Sequence, residues 1–345
     1  MTVKTHWYEA DTRFIPGHYQ PASLIDLALS RDIDSHRLLR GTGLFHEDIL
    51  AGQTRLSPQQ FLALIGNSRR LLDADDSSFL FGQRLLPGHY GAASHALRHA
   101  QNLQQALDVL VQQQALLSPL LSPRLVLDEQ HAYCYWLDSC GAGEHGRFLL
   151  EASMTALVAM SQWLAGQRLP WECSFSHAEP RYVEQYWVHL GEQTQFRRPL
   201  DLMRIPRQYL TRPWPGASAT AGQVARLEAG EHLRQLGFSC SFLDALERYL
   251  QANVRQAPSL EQTAQAFAMS PATLKRKLSK HHSGYQQQVD RVRKQMALYL
   301  YQIRGWSNEA VAEYLNFNDP ANFRRSFKRW TGSTPSLIRQ LLGSS

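Results

Sequence analysis

The last third of this 345-residue chain carries one pattern twice. Residues 259–280 read SLEQTAQAFAMSPATLKRKLSK and residues 307–329 read SNEAVAEYLNFNDPANFRRSFKR; with one extra residue in the second turn they superimpose. Ser259 falls on Ser307, Glu261 on Glu309, Phe267 on Leu315, Leu274 on Phe323, Arg276 on Arg325 and Leu278 on Phe327. A repeat of this kind constrains the fold more than composition does, because both copies must build the same supersecondary unit.

Each copy parses as helix, tight turn, helix. Ser259 and Gln262 make a capping box, and Ala264 offers a small side chain where a second helix approaches closely. Ser270-Pro271 and Asp319-Pro320 then restart a helix, with an N-cap followed by proline at the first helical position. In the second helices Leu274 and Leu278, like Phe323 and Phe327, stand four apart and define a buried stripe. Lys275, Arg276, Lys277 and Lys280 project from the opposite face of the first, and Arg324, Arg325, Lys328 and Arg329 from that of the second. This is the pattern of a helix-turn-helix, whose second helix enters the DNA major groove with Arg or Lys able to read guanine edges. Lys275, Arg276 and Arg325 are therefore expected at bases or phosphates, against the alternative of a solvated helix face. Four crowded cations also suit the second helix to gripping phosphates. Between the units, residues 285–301 form one expected helix of about 25 Å at ~1.5 Å per residue. That length suits two recognition helices set about one DNA turn apart, ~34 Å.

The charge is placed accordingly. The chain has 36 Lys+Arg against 30 Asp+Glu, a formal +6, with a pI near 9.2. From Cys240 onward there are 15 basic and 7 acidic residues, +8, which leaves 21 against 23, or −2, for residues 1–239. All the basic excess lies in the last third, as expected for a polyanion-binding module joined to something else.

Other features narrow the class. Four cysteines, at 134, 140, 173 and 240, show no C-x-x-C pair or dense spacing, which argues against a zinc ribbon or disulfide scaffold and fits a reducing cytoplasm. The first residues lack the apolar run of a secretory signal. The most membrane-like stretch, residues 148–165, carries Glu151 and Gln162 and is short of the ~20 apolar residues of a span, so it reads as a core helix. No membrane partner, cofactor or metal is expected.

Residues 1–210 mix helical and strand signals. Helices are expected at 21–29, at 57–72 with Ser57 as N-cap, at 102–117, at 147–165 and at 181–190. Strands are expected at 124–128 and 131–137, joined by a Glu-Gln turn, then at 172–175, with an apolar 200–205 following. Strands and helices do not alternate as in βαβ units, so an α+β domain is expected. Prolines and small residues at 212–220 mark a linker, with a bridging helix at 222–236, so 211–239 separates a first domain (1–210) from an all-α domain (240–345) with two helix-turn-helix units. A helix over 242–254 opens the basic region.

Residues from about 240 to 342 resemble the DNA-binding domain of the AraC/XylS family of bacterial transcription regulators, most specifically in 318–332 (NDPANFRRSFKRWTG) and 334–339 (TPSLIR). The family's usual glycine before the aromatic of the second turn is Asn316 here, and a glycine common after the first recognition helix is replaced by His282. Asn tolerates left-handed backbone better than most residues. The resemblance implies duplex promoter DNA as partner. It also implies Asn322 at a base edge. By their places on the two second helices, Thr273 or Ala272, and likewise Ala321, are expected at the DNA backbone or a thymine methyl, and Lys280, Arg324 and Lys328 among the DNA-binding cations. Residues 175–180 (FSHAEP), Tyr186 and 196–202 (FRRPLDL) resemble the family's arabinose-binding-like sensor subgroup. That likeness implies a small-molecule effector or dimerisation, without implying arabinose, and an activator would also meet RNA polymerase.

Bland readings compete at three further places. His95 and His99, with His89 upstream, read as ordinary histidines because no H-E-x-x-H or acidic third ligand accompanies them. Tyr133, Tyr135, Trp136 and Trp163 read as core aromatics ahead of a ligand pocket. Cys134 and Cys140 read as plain buried thiols ahead of a redox switch. The expected function is a cytoplasmic, effector-responsive DNA-binding transcription regulator, not an enzyme. The alternatives are a ligand-independent architectural protein and an enzyme with a DNA-binding tail; G-x-x-x-x-G-K-[ST], G-x-S-x-G and H-E-x-x-H are all absent.

Overall fold

In the N-terminal part, β1 (Ile15–Pro16) is followed by α1 (Gln20–Leu29), α2 (Ser35–Leu39) and α3 (His46–Leu50), and β2 (Arg55–Leu56) then pairs antiparallel with β1. The computed structural model describes residues 7–343, and the chain splits into two units, Met1–Phe242 and Leu243–Ser345. In α4 (Pro58–Leu72), Gln60 N–H donates to the Ser57 hydroxyl at 3.2 Å, and Ser57 N–H donates back to the Gln60 side chain at 3.1 Å. This reciprocal pair fixes the helix start where the sequence places it.

α5 (Ser77–Leu85), α6 (Ala92–Arg98) and α7 (Leu103–Gln112) follow. The single helix expected over 102–117 is broken: Gln113, at φ −100° and ψ 24°, leaves helical geometry, and α8 (Gln114–Leu117) is a separate turn. Ala115, Leu116 and Leu117 are all buried, and three consecutive apolar residues cannot share α7's single buried face, so the chain reorients.

The main sheet has four antiparallel strands in the order β3-β4-β6-β5: β3 (Leu121–Leu127), β4 (His131–Asp138), β5 (Glu172–Ser174) and β6 (Leu202–Pro206). The β3–β4 turn is closed by Asp128, whose carboxylate accepts from Gln130 and His131 N–H at 2.8 and 2.6 Å. Between β4 and β5 runs α9 (Gly146–Ala165), and α10 (Val183–His189) lies between β5 and β6. The apolar run 148–165 is a core helix. The stretch Gly143–Ala165 is long and apolar enough to cross a membrane, but Ala152, Met154, Leu157 and Met160 are packed inside the unit.

α5 crosses α9 at Gly82, where a Cβ would stand 2.5 Å from the Ala152 carbonyl oxygen. The same device recurs in α11 (Ala219–Leu236), where a Cβ on Gly222 would come within 2.9 Å of the His99 carbonyl at the end of α6. The residues of the sensor-like motif meet in space: Tyr186 lies edge-on to both Phe175 and Phe196, with ring centroids 5.0 Å apart in each pair.

The aromatic expectation holds only in part. Tyr133 is buried, and Tyr135 and Trp136 are half-buried, but Trp163 is 59% exposed on the outward side of α9, whose next residues, Leu164 and Ala165, still pack against the core. All four cysteines are buried and none forms a disulfide, and burial pushes the Cys134 and Cys173 thiols up to about 12. Among the described residues, no group of three or more His, Cys, Asp or Glu is placed to hold a metal ion.

The C-terminal unit is helical: α12 (Phe242–Ala252), α13 (Leu260–Ala266), α14 (Pro271–Lys280), α15 (Tyr285–Gln302), α16 (Asn308–Tyr314), α17 (Pro320–Thr331) and α18 (Pro335–Gly343).

Candidate nucleic-acid interface

The two repeat copies fold into the pairs α13–α14 and α16–α17, and the first-helix cap and the turn hydrogen bonds recur in both. Gln262 N–H donates to the Ser259 hydroxyl at 3.2 Å, and Ala310 N–H to the Ser307 hydroxyl at 3.2 Å. At the first turn Ala268 N–H donates to the Gln265 carbonyl and Met269 N–H to the Ala264 carbonyl, both at 3.0 Å. At the second, Asn316 N–H donates to Glu313 at 3.0 Å and Phe317 N–H to Ala312 at 2.9 Å. Both turns place the repeat-equivalent residue in left-handed backbone: φ is 51° at Ala268 and 60° at Asn316. Asn316 thus takes the conformation that the usual glycine would supply, and His282, at φ 51°, does the same after α14.

α14 starts with Thr273 N–H donating to the Ser270 hydroxyl at 3.1 Å, and α17 with Ala321 N–H donating to the Asp319 carboxylate at 2.9 Å. The stripes are sealed: Leu274, Leu278, Phe323 and Phe327 are each at most 1% exposed. The α17 stripe is aromatic, with Phe317, Phe323, Phe327 and Tyr301 in contact, Phe323 to Phe327 at 5.6 Å and Tyr301 to Phe327 at 5.7 Å. Ring packing of this kind fixes the helix's rotation, and therefore which side chains face outward.

The outward faces are cationic. Ala272, Lys275, Arg276 and Lys280 are exposed on α14, and Asn322, Arg324, Arg325, Lys328 and Arg329 on α17; Thr273 and Ala321 are half-buried at the helix starts. Arg325 Nη2 donates to Asn322 Oδ1, and Arg329 pairs with Asp290 of α15 at 3.2 Å. All ten expected contact residues therefore lie on two short helices of one unit.

Sequence reading missed three supporting residues. Arg293 of α15 lies over the Phe317 ring at 5.2 Å, its pKa lowered by burial; Arg255 lies over Tyr314 at 5.4 Å; and Asp290 orients Arg329. All three sit outside the repeat, so no internal comparison picked them out. α15 itself spans 18 residues, ~27 Å.

Comparison with known proteins agrees with this geometry. Residues 263–341 match a helix-turn-helix domain family, and residues 33–214, more than half of the chain, match the N-terminal arabinose-binding domain of AraC transcription regulators. The chain belongs to the AraC-type transcription regulators. As such it is a DNA-binding regulator with an N-terminal ligand-binding domain, in a family of regulators rather than enzymes. This AraC-type chain is 28% identical to the ornithine utilization regulator of Pseudomonas aeruginosa over 327 residues, 94% of this chain and 96% of the relative. It is also 28% identical over 143 residues to the regulator VqsM of the same organism, 40% of this chain and 43% of that one. Among solved structures, the regulator CdpR of Pseudomonas aeruginosa aligns with 93% of this chain and 98% of its own, at 18% identity and a TM-score of 0.42.

Proposed function

We propose that this AraC-type regulator reads two successive major-groove segments of promoter DNA with α14 and α17. Arg276 and Arg325 reach guanine edges, Asn322 a neighbouring base, and Lys275 a base or phosphate. Ala272, Thr273 and Ala321 meet the DNA backbone or a thymine methyl, while Lys280, Arg324 and Lys328 hold phosphates. The observation that carries this reading is the paired geometry: two helices entered through equivalent left-handed turns, each with a sealed stripe behind an exposed cationic face.

In the same proposal, residues 1–210 sense a small-molecule effector and dimerise the chain, 211–239 transmit the signal, and 240–345 bind DNA. The protein acts in the cytoplasm and engages RNA polymerase where it activates. Effector binding changes occupancy only if the ligand has different affinity for two states of the regulator.

A nuclease footprint on the native promoter tests the DNA reading. Two protected major-groove segments about one turn apart are expected. Arg276→Ala and Arg325→Ala should each relax discrimination by about 1–3 kcal/mol per lost bidentate contact. If both substitutions leave binding to every sequence unchanged, the recognition-helix assignment fails.

A further inference from the structure

The N-terminal unit contains a cleft of about 750 Å3 between the second half of α4, the start of α5 and the start of α9. Its floor is a buried charge. Glu151, 3% exposed, accepts from Ser78 Oγ at 2.6 Å, Arg147 Nε at 2.9 Å and Tyr182 OH at 3.3 Å, and also from Tyr186 OH. Burial, and then the Glu151 charge, push the Tyr182 phenol up to about 12, so it stays protonated as a donor. Glu151 and Arg147 neutralise each other.

The walls carry charge of both signs that the chain leaves unmatched. The buried Asn67 amide donates to the Leu38 and Arg40 carbonyls, each at 2.8 Å, and its oxygen accepts from Arg70 Nη2 at 2.8 Å. Arg69 Nη1 bonds the Glu144 carbonyl at 3.1 Å and His145 Nδ1 at 3.0 Å. Burial and the Arg69 charge keep His145 below its ordinary pKa and so uncharged. Among the described residues, Arg40, Arg69 and Arg70 have no carboxylate partner, and Asp73 and Glu144 have no cationic one. Guanidinium groups held in place by neutral groups keep their charge and several N–H donors for a ligand, and fixing them beforehand lowers the entropic cost of binding it.

We propose that this cleft is the effector site and takes a free amino acid or a comparable small zwitterion. The ligand's carboxylate docks on Arg69 and Arg70, and its ammonium meets Glu144 and Asp73. A plain dianion would leave both acids unmatched, and a diamine would leave the three arginines unmatched. The cleft lies in the usual size range for small-molecule sites. This assignment rests on the reading of the N-terminal unit as an effector sensor.

Thermal shift of the full chain tests it, with each standard L-amino acid in turn as probe and succinate and 1,4-diaminobutane as single-sign controls. At least one amino acid should raise the melting temperature beyond either control. Arg70→Gln and Glu144→Gln should each weaken that response about tenfold or more. No amino acid response, an equal response to succinate or diaminobutane, or an unchanged response in Arg70→Gln would overturn the assignment. The ligand-free footprint is scored separately: an intact footprint with no amino acid response sinks this assignment alone, whereas loss of the footprint sinks the DNA reading.

Discussion

Ala268 and Asn316 occupy the same place in the two helix-turn-helix units, both in left-handed backbone, yet they differ in how well their side chains tolerate it. Left-handed backbone costs an ordinary L-residue roughly 1–2 kcal/mol, less for Asn, while glycine adds back about 0.5–1 kcal/mol of unfolded-chain entropy. Ala268→Gly should therefore stabilise the C-terminal unit by about 0.5–1 kcal/mol, and Asn316→Gly by close to nothing. Urea unfolding followed by Trp306 and Trp330 fluorescence measures both; a larger gain at Asn316 would show that side-chain tolerance does not set the difference. Only one of these positions was legible in the sequence. Asn316 stood out against the family's glycine, and Asn has a known liking for this conformation. Ala268 has no such propensity, and its backbone is set by the Met269 and Ala264 hydrogen bond across the turn. The cations of α14 and α17 were legible because the repeat displayed them twice. Asp290, Arg255 and Arg293 gave no comparable signal, since their partners come from other helices.

Helices with caps and a single apolar face were readable: α4, α13, α14, α16 and α17 all start at their Ser or Asp caps. α5 was not, because its sequence SSFLFGQRL places Phe79, Leu80 and Phe81 in succession and shows no clear 3.6-residue period. Such a helix is made by its neighbours, and Gly82 shows how. Its missing side chain lets α5 lie backbone to backbone on α9, within the core that leads to Glu151. Gly82→Ala must push these helices apart, since the obstacle is a carbonyl rather than a flexible side chain. A loss of about 1–3 kcal/mol is expected, toward the upper end. Denaturant titration of the full chain should show the N-terminal transition moving while the C-terminal one stays in place. If neither moves, the close crossing is not as tight as the geometry requires.

Across the whole molecule the formal +6 separates into two chemistries. The C-terminal cations face outward for a polyanion, whereas the N-terminal unit keeps several titratable groups partly out of water. Burial is the first cause lowering the pKa of His145, His189 and His232, helped by Arg69 at His145, by Arg168 at His189 against an opposing Asp76, and by Arg55 at His232. Each therefore stays neutral in the fold at a pH where it is protonated when unfolded. The unfolded chain then binds more protons, and stability rises with pH. The contribution is complete above the unfolded value of about 6.5 and is lost as the pH falls from there through the lowered folded values. Carboxylates act lower down. Burial opposes ionisation of Asp128, but His131 N–H, the Tyr133 hydroxyl and Gln130 N–H hold it below the usual range, so its loss belongs to pH about 4 and below. The urea midpoint of the N-terminal transition should thus fall between about pH 8 and pH 5, and Asn at positions 145, 189 and 232 should flatten that slope. A slope that survives the triple replacement would place the acid sensitivity elsewhere in the unit.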